Sequence, residues 1–264
     1  MRPTGAAGAL DASPAPAAGQ TVEIAYHTDP LCCWSWAFEP QWRRLRYEYG
    51  DQLVWRYRMA GMIAAWDGYA DPINAISRPA QMGPLWMQAR RVSGMPIDDR
   101  IWIEDPPSSS YPGCLAVKAA GLQSALAAER LLRRLREAVM IERRNIARRD
   151  VILAVADELA SGQPDSLDAD RLRHDLEDRA ALNALREDIK ELRYLEIGRF
   201  PSLTLRRPGG AGVIIVGYRS YDALLAALAR VAPELEPVRR ALSRTEYEAY
   251  WGRCTARELD EALG

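Results

Sequence analysis

Asp29-Pro30-Leu31-Cys32-Cys33-Trp34-Ser35 separates two different hydrophobic periodicities, and its place between them decides the fold. On its N-terminal side Val22, Ile24 and Tyr26 alternate with Glu23, Ala25 and His27, the period-two pattern of a strand. On its C-terminal side Trp34, Phe38, Trp42, Leu45 and Tyr49 recur at helical spacing until Gly50-Asp51, which predicts a helix over 34–49. Alternation returns from Gln52 to Met59, with Leu53, Trp55 and Tyr57 on one face, so the three segments read as a βαβ unit. Cys32 therefore stands where a strand hands over to a helix. The first turn of a helix offers unpaired backbone N–H groups and the positive end of the macrodipole, which together stabilise a thiolate. Thiolate is the nucleophilic form of cysteine, and this makes Cys32 the candidate catalytic residue.

Beyond this unit the pattern becomes helical. The stretch up to Pro112 is rich in Pro, Gly and Trp. Helices are then predicted over 113–123, 125–141, 150–159 with Asp150 as N-cap, and 168–195 with one break. After Phe200-Pro201, two β-rich segments at 202–205 and 212–216 flank Arg207-Pro208-Gly209-Gly210, a hairpin signature. Ser220 then caps an Ala/Leu-rich helix over 221–231. With the helical block set aside, the order β-α-β then β-β-α is that of a thioredoxin-like α/β fold. The organisation predicted is a disordered tail over 1–20, a first half-domain over 21–60 and an inserted helical domain over 61–197. The second half-domain follows over 198–232, then a C-terminal helical extension over 233–264. That extension, with helical patches around Val238 and from Tyr247 to Leu263, is expected to pack on the domain or to form a homodimer contact.

Composition excludes several classes. The chain has 264 residues, 48% hydrophobic and 27% charged, with a formal net charge of -1. Nothing in this balance calls for nucleic acid or an anionic membrane as partner. No run approaches the roughly 18 apolar residues of a membrane span, and the first twenty residues hold no signal-peptide core, so a cytoplasmic location is expected. The four cysteines lack the paired spacing of a structural zinc site, and no metal is predicted. The Arg-rich segment from Glu129 to Asp150 interleaves its arginines with Glu137 and Glu142 around a Leu131, Leu132, Leu135 and Val139 stripe, which reads as a solvated helix face.

The run Asp29-Pro30-Leu31-Cys32-Cys33-Trp34-Ser35-Trp36-Ala37-Phe38 resembles the active-site segment of the DsbA-like branch of the thioredoxin superfamily. Three further segments are similar to that branch: Ser108-Ser109-Ser110-Tyr111-Pro112-Gly113-Cys114, Asn145-Ile146-Ala147-Arg148-Arg149-Asp150, and Gly198-Arg199-Phe200-Pro201-Ser202-Leu203. The resemblance implies that Pro201 is a cis-proline opposite the active site. It also implies that Phe200, just before it, docks an extended peptide or glutathione through its backbone.

One departure matters. Ser35 stands where the branch carries its second cysteine, so no thiol is in place to resolve a mixed disulfide. Ser35 is expected instead to donate a hydrogen bond to the Cys32 thiolate. Cys33 is the remaining candidate second thiol, although a disulfide between adjacent residues is strained. The activity implied is single-thiol disulfide exchange on protein or glutathione disulfides, with no tightly bound cofactor and glutathione as candidate co-substrate. The resemblance leaves two alternatives open: a non-catalytic protein-binding adapter of the SpxH-like kind, or a glutathione-dependent transferase or isomerase akin to the kappa-class transferases and hydroxychromene-carboxylate isomerases. Trp34 and His27 are predicted to border the groove, Trp36 to lie in the core, and Cys114 to be a small buried residue.

Overall fold

A four-stranded mixed sheet is made from β1 (Val22–Thr28), β2 (Leu53–Met59), β3 (Ser202–Arg206) and β4 (Gly212–Val216), in the order β2-β1-β3-β4. The computed structural model from which this is drawn describes residues 21–163 and 165–264; the predicted disordered tail lies outside the described residues. β1 runs parallel to β2, with Val22 opposite Leu53 and Thr28 opposite Met59. β3 is antiparallel to both β1 and β4. A parallel neighbour needs a crossover, supplied by α1 (Cys33–Ala37) and α2 (Glu39–Tyr49). The antiparallel pair β3–β4 turns as the hairpin signature predicts. Gly210 N–H donates to the Arg207 carbonyl at 3.0 Å, and Gly209 takes the left-handed φ of 73° that glycine tolerates.

The single helix predicted over 34–49 is in fact two. Pro40 lies in the first turn of α2 and has no N–H to carry the hydrogen-bond ladder through, so the chain turns at Phe38. The helices between β2 and β3 in chain order are α3 (Met82–Ser93), α4 (Ile101–Glu104), α5 (Tyr111–Gly121), α6 (Ala125–Met140), α7 (Arg149–Gly162), α8 (Ala169–Asp175) and α9 (Arg179–Tyr194). No helix was expected at α3, because Gly83 and Pro84 mask its start. Both lie in its first turn, where proline costs little, and Trp86 and Ala89 bury the apolar stripe beyond. Asp150 is not the cap of α7. Arg148 holds that position, and Asp150 stands inside the first turn, where its charge complements the macrodipole and takes the Arg148 guanidinium at 3.0 Å. The break predicted within 168–195 separates α8 from α9, each capped by an aspartate, Asp168 and Asp178.

Two apolar clusters meet at α1. Val22, Ile24, Tyr26, Phe38, Trp42, Leu203 and Leu205 form one, closed by Leu224 and Leu228 of α10 (Tyr221–Val231). Leu31, Cys33, Trp36 and Ala37 belong to the other, with α3, α5, α6 and α7. Successive residues of the active-site run are thus bound to different cores, which fixes the run from both sides.

The C-terminal extension packs on the domain. The segment around Val238 is not the helix expected there. The Val238 and Arg239 N–H groups both donate to the Glu48 carbonyl, at 2.8 and 3.2 Å, and strap an irregular chain to the end of α2. Next come α11 (Arg244–Trp251) and α12 (Ala256–Leu263). Glu258 of α12 is fully buried and pairs with Arg43 of α2 at 2.9 Å and Arg133 of α6 at 2.7 Å. Burial alone would raise its pKa, yet Arg133 and Arg43 hold it at about 2.

Removing one member of such a buried set strands the others. Glu258→Ala is therefore expected to cost about 3 kcal/mol of stability, read as a lower urea midpoint. A change under about 0.5 kcal/mol, the range of an ordinary surface substitution, would show that α12 is not clamped this way.

Candidate functional site

Cys32 is the N-cap residue of α1, with φ -78° and ψ 107°. Its Sγ accepts the Ser35 N–H at 3.4 Å and donates its proton to the Phe200 carbonyl at 3.6 Å. The sulfur thus faces the loop that carries Pro201, and the Phe200–Pro201 bond is cis, as the resemblance implies. Cys32 is only 5% exposed.

The electrostatics differ from the expected poised thiolate. Burial pushes the Cys32 thiol up, and the Asp29 charge adds to this. The neighbouring Ser35 side chain and amide, and the Arg136 guanidinium, pull it down. With five residues in α1, a single amide N–H reaches the sulfur, and this does not offset the loss of water. Ser35 Oγ is buried and makes no hydrogen bond to the sulfur in the resting geometry, although its proximity favours the ionised form.

The remaining predicted residues fall in different places. Trp34 is half-buried, borders the cleft and stacks at 5.7 Å on Tyr218, an aromatic that sequence reasoning missed. Phe200 lines the same cleft. Cys33 lines the same cleft, but it is 2% exposed and packed in the helical core, and burial pushes its thiol well up. His27 does not border the groove. Its position in β1 opposite Arg58 and Ser202 puts it on the sheet face away from α2, fully buried, with both ring nitrogens unpartnered. Trp36 is fully buried, as expected.

Sequence reasoning assigned no role to Asp29, which organises the site. Its buried carboxylate accepts Leu31 N–H at 2.9 Å, Met62 N–H at 2.8 Å, the Ser110 hydroxyl at 2.8 Å and the Cys114 thiol at 3.3 Å. These donors come from the active-site loop, the segment after β2 and α5. The Asp-Pro pair was a visible turn signal, but nothing in the sequence joined it to Ser110 and Cys114.

Asp188 of α9 was also missed. It is fully buried, pairs with Arg58 at 2.8 Å and Lys118 at 2.7 Å, and accepts Met59 N–H at 2.9 Å. It fastens α9 to β2 and α5, and so sets one wall of the cleft. That cleft encloses about 840 Å³. Cys32 and Phe200 line it, with Met62, Ile73, Leu85 and Val92 from the segment after β2 and α3, and Ile189, Leu192, Arg193 and Arg199 from α9 and the loop after it. Among the described residues no cluster of His, Cys, Asp and Glu is placed to hold a metal ion, and no helix is long and apolar enough to cross a membrane.

Sheet order, the cysteine at the start of α1 and the facing cis-proline define a thioredoxin-fold protein with one thiol presented to a cleft. A thioredoxin family model matches residues 26–225, and the chain belongs to that family. The ClpXP adapter protein SpxH of Halalkalibacterium halodurans is 31% identical over 221 residues, covering 82% of this chain and 70% of the relative. SpxH of Shouchella clausii is 32% identical over 214 residues, covering 80% and 67%. Among solved structures, the cytosolic disulfide reductase DsbM of Pseudomonas aeruginosa superposes with a TM-score of 0.60 at 22% identity, covering 79% of this chain and 98% of DsbM.

His27 gives the site region a pH dependence. Burial and the Arg58 and Arg56 charges lower its pKa to about 4. The unfolded chain, with an ordinary value near 6.5, then binds a proton that the folded chain refuses. Stability is complete above about pH 6.5 and falls as pH drops toward 4. The loss is about 3 kcal/mol. Urea unfolding at pH 7 and pH 4 should show this loss in the wild type beyond that of His27→Leu; equal losses in the two proteins would count against it.

Proposed function

We propose that this chain is a protein-binding member of its family: an adapter that receives an extended client segment in the cleft beside Phe200 and Pro201 and presents it to a ClpXP-type protease. One observation carries this reading: Cys32 has no second thiol to work with. Ser35 occupies the resolving position, Cys33 is packed in the core, and the Cys114 thiol is committed to Asp29. A mixed disulfide at Cys32 has no intramolecular exit, so the site is built to hold rather than to turn over. Burial, which pushes the thiol up, acts in the same direction. The SpxH relatives, named as adapters for ClpXP, support the reading.

A second reading is single-thiol disulfide exchange, favoured by the Cys32 sulfur facing the Phe200 carbonyl at an open cleft. Here the Cys32 thiolate attacks one sulfur of a client or glutathione disulfide. A new S–S bond forms, and the other sulfur leaves as a thiolate. An external thiol such as glutathione then attacks the substrate sulfur of the mixed disulfide and expels Cys32 as thiolate.

The two separate in one assay, reduction of insulin disulfides by reduced glutathione with the full chain added. The adapter reading expects the wild type and Cys32→Ser to give the same rate as glutathione alone. It also expects a Cys32 alkylation pKa at or above the ordinary value of about 8.5. Saturable turnover lost in Cys32→Ser, with a depressed alkylation pKa, would replace the adapter with the oxidoreductase.

A further inference from the structure

The sheet ends in two edge strands, β2 and β4, and they are guarded differently. β2 carries Arg56 and Arg58, and Arg58 is bound to Asp188 and Glu191 of α9. Charged edges of this kind resist pairing with another chain. β4, Gly212-Val213-Ile214-Ile215-Val216, has no charge and no proline, and its register with β3 is unbroken, so no bulge turns it away. The direction of its backbone groups follows from one bond. Gly217 N–H donates to the Pro201 carbonyl at 2.7 Å, which makes Pro201 and Gly217 a hydrogen-bonded pair. Such pairs alternate along an antiparallel ladder, so Leu203 with Ile215 and Leu205 with Val213 are of the same kind. Gly212, Ile214 and Val216 therefore aim their N–H and C=O groups outward. Among the described residues no hydrogen bond meets them. The same residues share the sheet face away from α10, where Ile214 is 49% and Val216 38% exposed, while Val213 and Ile215 pack into the sheet core.

We propose that β4 is a self-association edge: a second copy of this chain adds its own β4 antiparallel, about a twofold axis at Ile214. In that register Ile214 faces Ile214 of the second copy, and Gly212 faces Val216 in both directions. Every outward N–H and C=O then finds a partner, and the two sheets become one. Self-complementarity favours a second copy over a foreign segment. No charged residue opposes another across the seam, and glycine lies opposite the branched Val216. The arginines that precede the strand are already matched, Arg206 by Glu23 at 2.9 Å and Arg207 by Glu234. The antiparallel order also carries the second copy's hairpin turn toward Gly217 and Tyr218, at the rim of the Cys32 cleft. Pairing at β4 holds whether Cys32 turns over or only binds.

The test is sedimentation velocity on the full chain, on Ile214→Lys, on Ile214→Glu and on an equal mixture of the two variants. A seam of short strands is small, so the wild type is expected to pass from monomer to dimer between about 1 and about 500 µM. The twofold sets each introduced charge against its own copy, so either variant alone should dissociate at least about tenfold more readily. Mixed, they place Lys opposite Glu and should regain the dimer. Ile214 is half-exposed in the single chain, so the fold should persist, checked by circular dichroism. Should a variant lose it, Ile214→Cys treated with oxidised glutathione decides, since facing Cα atoms about 5.5 Å apart permit a disulfide. A cross-linked dimer absent from the wild type is expected, and its failure to form overturns the proposal. A wild type that stays monomeric throughout also overturns it and leaves the edge to an extended segment of another protein. So does a dimer that survives both charged substitutions, or a mixture no better than its components.

Discussion

The site depends on one buried carboxylate. Asp29 is removed from water, and an isolated charge there would be prohibitive; four donors from three separate stretches of chain converge on it. Two are backbone N–H groups, so the path of the chain on either side of the sheet edge is set along with the side chains. Ser110 closes the set twice over: its hydroxyl also accepts Ile63 N–H at 3.0 Å, and its own N–H donates to the Ile63 carbonyl at 2.8 Å. The Cys32 loop, the segment that begins the cleft wall and the start of α5 are in this way one hydrogen-bonded unit. Asp29 has an electrostatic consequence too, since its charge opposes ionisation of the neighbouring sulfur.

Packing works with this unit. α1 lies between the sheet core and the helical core, with Leu31, Cys33 and Trp36 committed to one and Phe38 to the other. That commitment leaves Cys32 alone to turn toward Phe200. Both cysteines line the cleft, but only Cys32 turns its sulfur to the Phe200 carbonyl, while Cys33 packs into the helical core. The C-terminal extension reaches the same region from behind, through Glu258 on Arg43 and Arg133, and Arg133 lies over the Trp36 ring at 4.5 Å. Charges from three distant parts of the chain thus converge under a helix of five residues.

These features set the chemistry apart from a dithiol enzyme. In such a site the thiolate is stabilised and a partner thiol waits. Here the sulfur is shielded from water, held by one amide and one carbonyl, with a hydroxyl where the partner would be. A cleft of about 840 Å³ is kept in front of it, mostly apolar, with Arg193, Glu196 and Arg199 at and after the end of α9.

Local patterning by itself determined the strands, the hairpin, the helix after Ser220 and the placement of Cys32 at a strand-to-helix junction. Each depends on residues close together in the chain, where periodicity, turn chemistry and spacing act directly. Only the tertiary structure decided that Cys33 faces inward, that His27 lies under the far face of the sheet, and that Asp29, Asp188, Arg136 and Glu258 are buried anchors. The identity of a charged residue is the same on the surface and in the core; what it does is set by partners up to 215 positions away, and no local pattern records them. The acidity of Cys32 belongs with these. A helix start is legible in a sequence, but the water excluded from it is a property of everything packed around it.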